Sequence, residues 1–489
     1  MRSFNVALIA RILCFLLIFE AAFMVVPLLV AIINGEAGAT RAFGISAAIT
    51  LAVALAGYRL IRPARNDMSK YDSVLLTAMV WIVFSAFGLL PYMLAPSTRL
   101  DFSSAFFEAM SAFTTTGASL IESTDSLSYA VHIWRCLSQW IGGLGIIIFT
   151  LALVPMLNSS GGMQMFNAEQ NRIGQEKIGA RISTTSRRIW GVYLLLTLLL
   201  FGLLCLGPMS AFEAACHAFS TMSTGGFSTS SDGINTFASL YVKIIITVFM
   251  FLGGVNFAMV YRAATGQPRA VLRNEAFLTY CKVIAGATVL FICAILLQGT
   301  WSGWQSLTID PLFQVVSFMT STGFILTRFD SWGPTVMAIS LMLIFVGGCA
   351  GSTSGGAKID RVVYLLKFLK NEIKRTMRPK AVLPVRISSR VIPSTQVNEV
   401  VAFLCLYVLI ALLGALLLSL CDVPVGRAFV VAVAAMGNAS LSLSDSSAMG
   451  CDYIALSHTA HYILAALMLI GRLEIFTIIV LFTRTFWKR

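Results

Sequence analysis

Apolar residues in this chain run in unbroken blocks instead of alternating with polar ones. The first block extends from Ala7 to about Ile33. It exceeds the about 7–15 apolar residues of a signal-peptide core, so it predicts a spanning helix. Further blocks cover about 43–61, 73–95, 133–156, 189–207, 238–260, 275–298, 336–370, 397–420 and 459–485. At about 1.5 Å of rise per residue, each is long enough for a hydrocarbon core of about 30 Å. Ten spans are expected, the 336–370 span being interrupted by glycine and serine.

Four other segments fit neither a span nor a solvated loop: 102–120, 211–229, 310–326 and 425–443. Each is apolar for about ten residues and then turns into Gly, Ser and Thr. A half-helix followed by irregular backbone satisfies such a pattern, because unwound backbone is tolerated at membrane depth only against protein or a wet cavity. The expected units are a two-helix segment over 1–70 and four pore repeats at 71–160, 161–265, 266–385 and 386–489, the third carrying an intramembrane loop. The fold class is an all-α polytopic membrane protein.

Composition agrees with this class. The 489 residues are 57% hydrophobic and 12% charged, with mean hydropathy +0.84, against about 25% charged in ordinary soluble domains. A soluble enzyme and a nucleic-acid binder fit poorly. The ten cysteines are scattered singly without a CxxC pair and read as small buried hydrophobes.

The net charge of +13 changes the picture only when mapped onto the spans. Arg59, Arg62, Arg65 and Lys70 follow the second span. Arg172, Lys177, Arg181, Arg187 and Arg188 follow the fourth, and Arg262, Arg269 and Arg273 the sixth. Lys367, Lys370, Lys374, Arg375, Arg378 and Lys380 follow the eighth, and Lys488 and Arg489 the last. With ten spans these all share one side, whereas the other holds only isolated bases such as Arg99, Arg328 and Arg427. By the positive-inside rule both termini are cytoplasmic. The bases are dispersed over short loops, so no nucleic-acid partner is implied.

The four short segments repeat one another. The first contains Ser111-Ala-Phe-Thr114-Thr115-Thr116-Gly117, the second Ser220-Thr-Met-Ser223-Thr224-Gly225-Gly226, and the third Ser317-Phe-Met-Thr320-Ser321-Thr322-Gly323. The serine stands six residues before the last glycine each time. The fourth reads Met436-Gly437-Asn438-Ala439-Ser440, where spacing aligns Ser440 with that glycine and Gly437 is the other register. Four polar hairpins around one axis can aim carbonyl and hydroxyl oxygens inward and replace a cation's hydration shell. Acids follow each hairpin (Glu122 and Asp125, Asp232, Asp330, Asp445), forming an expected acidic vestibule.

Two further features lie at membrane depth. The break in the eighth span reads Gly347-Gly348-Cys-Ala-Gly351-Ser352-Thr353-Ser354-Gly355-Gly356-Ala-Lys358. No GK[ST] follows and no strand precedes it, which disfavours a phosphate loop; an intramembrane loop beneath the third hairpin, placed to obstruct ions, fits better. The last span carries Arg472 and Glu474. Two readings stand for them: a structural ion pair, with each other or a neighbouring helix, and a cation facing the pore that binds loop carbonyls. His132, His217, His458 and His461 have no metal-ligand spacing, and no catalytic constellation is visible.

The repeated hairpins, the Gly347–Lys358 loop and Gly471-Arg-Leu-Glu474 together resemble the Trk/Ktr/HKT potassium-transporter superfamily, nearest its bacterial TrkH/TrkG uptake subunits, over nearly the whole chain. The resemblance implies a potassium-permeable inner-membrane subunit with two helices ahead of four pseudo-symmetric span–pore–span units, assembled as a homodimer. It maps a selectivity filter onto Thr115, Thr116, Gly117; Thr224, Gly225, Gly226; and Ser321, Thr322, Gly323, with Asn438, Ala439 and Ser440 in the fourth quadrant. It maps a gate onto Gly347, Gly348, Gly351, Ser352, Thr353, Ser354, Gly355, Gly356 and Lys358, with Arg472 as the restraining arginine. Potassium is the expected substrate, and the chain itself is expected to bind no cofactor. The implied partner is a TrkA-type cytoplasmic subunit that binds the regulatory nucleotide, with the basic stretches 172–188 and 367–390 as docking surfaces. A cation symporter with broken helices is the alternative, and a membrane-embedded enzyme a remote one.

Overall fold

The computed structural model describes residues 4–65, 68–143, 145, 182–299, 301, 303–326, 332–381, 383–387, 390–441 and 453–487. Residues 146–156 of the expected fourth span, the bases Arg172, Lys177, Arg181, Arg328, Lys488 and Arg489, and the acids Asp330 and Asp445 lie outside the described residues.

The chain begins with an antiparallel pair, α1 (Val6–Ile33) and α2 (Ala37–Leu60). Next comes α3 (Lys70–Gly88), whose start is fixed by a capping box. The Ser69 hydroxyl accepts the Asp72 amide, and the Asp72 carboxylate accepts the Ser69 amide. Asp72 also accepts the Asn5 amide at 3.1 Å, tying the N-terminal residues to α3. Then one pattern recurs: a short helix, a hairpin, a second helix. The short helices are α4 (Phe102–Phe113), α7 (Ala211–Met222), α11 (Trp304–Met319) and α15 (Val425–Met436). The flanking ones are α5 (Tyr129–Gly143), α6 (Ile182–Cys205), α8 (Leu240–Gly253), α9 (Phe257–Ala264), α10 (Glu275–Gln298), α12 (Gly333–Val346), α13 (Ile359–Met377), α14 (Ser394–Ser419), α16 (His458–Arg472) and α17 (Ile475–Leu481). A two-residue antiparallel ladder pairs Arg386 with Val391 and Ile387 with Arg390.

Among the described residues six helices are long and apolar enough to cross a membrane, and seven if the pair α8–α9, bent by 107°, counts as one. Four of the ten expected blocks are not among these six: the block 133–156 runs out of the described residues beyond 145, and the other three are interrupted. Three of the blocks are broken where polar or glycine backbone is needed: at Gly254–Asn256, across 347–358, and at Leu473–Glu474. The α8–α9 break is capped by Asn256, whose side chain accepts the Ala258 amide at 2.8 Å.

The distribution of polarity is inverted relative to a soluble protein. Large apolar side chains such as Val25, Leu29, Leu199, Leu290, Leu409 and Leu416 are exposed on the spans, while Glu108, Arg135, Gln139, His217 and Gln314 are buried. Apolar surface on this scale suits contact with lipid, and the buried polar groups face the bundle interior. Contacts between chain ends separate two faces. On one, Phe486 packs on Phe4 and Tyr71, Lys367 pairs with Glu275, and Arg188 lies over Tyr261. On the other, the 123–125 loop meets Ser231, and Asp101 meets His458.

Candidate cation pathway

Each short helix ends in the same turn. The amide of Thr116 bonds the Ser111 carbonyl at 2.9 Å and that of Thr115 the Ala112 carbonyl at 3.0 Å. The same 6→1 and 5→2 pairs join Gly225 to Ser220 and Thr224 to Thr221, Thr322 to Ser317 and Ser321 to Phe318, and Ala439 to Ala434 and Asn438 to Ala435. This is the Schellman closure of a helix C-terminus, which ordinarily places glycine in the left-handed position. Here that position holds Thr115, Thr224, Ser321 and Asn438, with φ of 57°, 55°, 55° and 48°. Left-handed backbone is costly for β-branched residues and persists only where surrounding structure imposes it. Its presence in all four hairpins is the clearest sign that they are one repeated device.

The shared bonds also fix the register of the fourth copy: Asn438 corresponds to Thr115, Ala439 to Thr116 and Ser440 to Gly117. The spacing-based alignment of Ser440 is the one the backbone adopts, and Gly437 instead falls at the helix cap. Gly117, Gly226 and Gly323 all have positive φ, between 76° and 81°. Ser440 has not, so the fourth copy leaves the pattern at that residue.

The hairpins form a closed cycle. A β-carbon on Gly117 would sit 2.0 Å from the Gly225 carbonyl oxygen, and one on Gly226 would sit 1.9 Å from that of Thr322. One on Gly323 would meet the Ser440 amide nitrogen at 3.1 Å, and Asn438 Nδ2 donates to Thr116 Oγ1 at 3.2 Å. Backbones this close require glycine at the first two positions. The C-terminal ends of all four short helices abut the cycle, and their partial negative charge favours a cation there. The hydroxyl of Thr115 is buried and makes no hydrogen bond, leaving its oxygen available to a ligand.

Residues 347–358 pack against this cycle from the side of the helix breaks. The Gly355 amide donates to Ser321 Oγ at 2.5 Å. Thr353 Oγ1 donates to the carbonyls of Met222 at 3.2 Å and Gly253 at 3.1 Å. A β-carbon on Gly355 would lie 2.1 Å from the Gly437 carbonyl oxygen. The loop thus touches the second, third and fourth hairpins or their helices. Its own ends are joined by Ala357 to Phe345 and Ile359 to Gly348 backbone bonds of 2.9 and 3.0 Å. Asn256 Nδ2 donates to the Ala350 carbonyl at 2.6 Å and the Phe257 amide to that of Gly351 at 3.1 Å, so the α8–α9 break seats it. Inside the loop Lys358 Nζ bonds the Ser354 carbonyl, and Gly348 bonds Ser354 Oγ at 3.0 Å.

Among the described residues Arg472 and Glu474 take different partners. Arg472 donates to the Thr353 carbonyl at 2.8 Å and to those of Gly142 and Gly143 at 2.6 and 2.5 Å. It therefore joins the loop to the end of α5, where Gly142 packs against Phe113 of the first short helix. Glu474 pairs with Arg361 of α13 at 2.5 Å, and that guanidinium stacks on Phe403. At the opposite face, Asp125 accepts the Ser231 amide at 3.1 Å, and this bond holds its carboxyl below the usual carboxylate range.

Sequence reasoning missed the polar groups behind the hairpins. Gln139 of α5 donates to the Gly225 carbonyl at 2.7 Å and accepts the Ser220 hydroxyl at 2.9 Å. Glu108 and Arg135 form a buried ion pair at 3.1 Å. Isolated polar residues inside otherwise apolar segments were the available signal.

The profile of the TrkH family, described as a cation transport protein, matches residues 42–282 and 305–489. The Trk system potassium uptake protein TrkH of Escherichia coli (strain K12) is 33% identical over 484 residues, covering 98% of this chain and 99% of that protein. TrkI of Halomonas elongata is 32% identical, covering 98% and 97%, and TrkG of E. coli (strain K12) is 28% identical over the full length of both. The crystal structure of the potassium transporter TrkH from Vibrio parahaemolyticus superposes with a TM-score of 0.87 at 30% identity, covering 99% of this chain and 100% of that one.

Proposed function

Since the chain belongs to the TrkH family of cation transport proteins, we propose that it is a membrane subunit that admits potassium to a bacterial cell through a gated pore. The observation that carries this reading is the closed cycle of four equivalent hairpins at the C-terminal ends of four short helices. In this reading Thr115–Gly117, Thr224–Gly226, Ser321–Gly323 and Asn438–Ser440 form the filter, where backbone and hydroxyl oxygens replace water around the ion. The 71–160, 161–265, 266–385 and 386–489 repeats each supply one quadrant, after the 1–70 segment.

The 347–358 loop is the gate and Arg472 its restraint. A guanidinium facing the ion path also repels cations while the loop is seated. Uptake is driven by membrane potential and needs no enzymatic step. The basic loops support cytoplasmic termini by the positive-inside rule, and the family resemblance supports the inner membrane. The relatives' names assign them to a Trk system, which supports a second subunit of TrkA type that carries the nucleotide. Family resemblance supports a homodimer.

Rubidium flux into proteoliposomes tests the filter. The wild-type chain conducts and Gly117→Asp does not; equal, robust uptake by both would refute the assignment.

A further inference from the structure

Nine residues before the third hairpin position, each short helix offers one side chain to the strand that leaves its hairpin. These are Glu108, His217, Gln314 and Val431. Glu108 accepts the Leu120 amide and the Ser119 hydroxyl, both at 3.0 Å. Gln314 donates to the Phe324 carbonyl at 3.2 Å and accepts the Leu326 amide at 3.4 Å. His217 binds the Glu213 carbonyl through Nδ1 at 2.8 Å and Ser228 Oγ through Nε2 at 3.2 Å. Val431 has no polar atom to offer. The fourth hairpin is held instead by Asn438, whose Nδ2 also donates to the Met468 carbonyl at 2.8 Å.

Among the described residues the first copy alone is ionic at this position. Arg135 Nε binds Glu108 Oε1 at 3.1 Å, and its Nη2 binds Ser119 Oγ at 3.0 Å. The guanidinium also lies 4.1 Å from the ring centroid of Phe227, the residue after Gly226. One buried cation thus contacts the exit strands of two adjacent hairpins. Unpaired, it would oppose any cation held in the cycle; paired with Glu108, it is neutralised and serves as a rigid spacer.

We propose that Glu108 and Arg135 are positioning residues that set the geometry of the first and second hairpins, and with it the discrimination between potassium-sized and smaller cations. This rests on the hairpins being the filter. The readout is the ratio of rubidium to sodium uptake by the full-length protein in proteoliposomes, which does not depend on how often the gate is open. Glu108→Gln leaves Arg135 unpaired and should lower the ratio about tenfold, the scale on which loss of one charge-assisted hydrogen bond acts. Glu108→Gln/Arg135→Gln removes both charges and should recover most of it. Ser119→Ala removes only the hydroxyl shared by both groups. It should lower the ratio in the same direction, and it decides the matter if Glu108→Gln does not fold.

A merely structural role would reduce protein yield or total flux and leave the ratio at its wild-type value in Ser119→Ala and in every folded Glu108 variant. That outcome overturns the proposal. Gly323→Ala separates this failure from failure of the filter reading, because its β-carbon would meet Ser440 at 3.1–3.3 Å without gross overlap. If Gly323→Ala changes the ratio and the Glu108 and Ser119 variants do not, only the positioning role falls. If none changes it, both fall.

Discussion

Arg472→Ala cuts the link between the 347–358 loop and the end of α5. Among the described residues the side chain bonds the loop at Thr353 and the wall at Gly142 and Gly143. These act in series, so cutting the described bond to Thr353 is enough to release the loop side of the link. A hydrogen bond from a charged donor is worth about 1.5–3 kcal/mol, which shifts a closed–open equilibrium by about 10- to 100-fold. A gate shut about 99% of the time would then be open for about a tenth to a half of it. Rubidium uptake by proteoliposomes lacking any cytoplasmic partner should rise accordingly, with Arg472→Lys intermediate because one ammonium cannot span both sides. Unchanged or lower basal flux, in a variant with the wild-type size-exclusion profile and melting curve, would refute the restraint.

Gly355→Ala places a β-carbon 2.1 Å from the Gly437 carbonyl oxygen; it should unseat the loop and raise basal rubidium flux, and a wild-type flux would mean that the loop does not obstruct the path. Glu474→Gln leaves the buried Arg361 charge without its partner and should destabilise the protein by about 3–5 kcal/mol, with much of the loss restored in Glu474→Gln/Arg361→Gln, as read by thermal denaturation in detergent. Gln139→Leu strips the Gly225 carbonyl and Ser220 hydroxyl of their partner and should cost about 1–3 kcal/mol in the same assay. Asp125 has a lowered pKa, so its contact with Ser231 is complete above the ordinary carboxylate value of about 3.9 and is lost only as pH falls through the lower one. Uptake should show no step from this group between outer pH of about 5 and 8. Asp125→Asn should slow uptake at low ionic strength and converge with wild type as salt shortens the Debye length to about 3 Å at 1 M.

Block lengths were enough to read α1, α2, α10 and α14 from the sequence, because a bilayer demands long apolar helices. The hairpin repeat was legible for the same kind of reason: Ser111, Ser220 and Ser317 stand at fixed distance from a glycine that only close backbone approach explains. The break inside the expected 238–260 span was not legible, because Gly254–Asn256 looks apolar enough in sequence yet turns the chain by 107°. At the bend the chain meets the 347–358 loop, a contact between residues about a hundred positions apart that periodicity does not encode. Arg472 and Glu474 were visible as charges at membrane depth, but their partners, Thr353 and Arg361, lie more than a hundred residues away. Glu108, His217 and Gln314 share a register that aligning the repeats nine residues upstream exposes. Their hydrogen bonds run to exit strands whose path only the fold defines.

The fourth hairpin, with Asn438 and Ser440 where its counterparts differ, has a consequence for how such a ring changes over time. In a ring built from four copies of one subunit, every codon change appears four times at once, and a tolerable variant must suit all four places together. A ring written within a single chain is edited one quarter at a time. Three glycines can stand beside one serine at equivalent positions, and one buried ion pair can brace two adjacent hairpins. The accessible steps are smaller and more numerous, so with the ring as the proposed filter, permeation can be tuned in increments that a symmetric assembly cannot take.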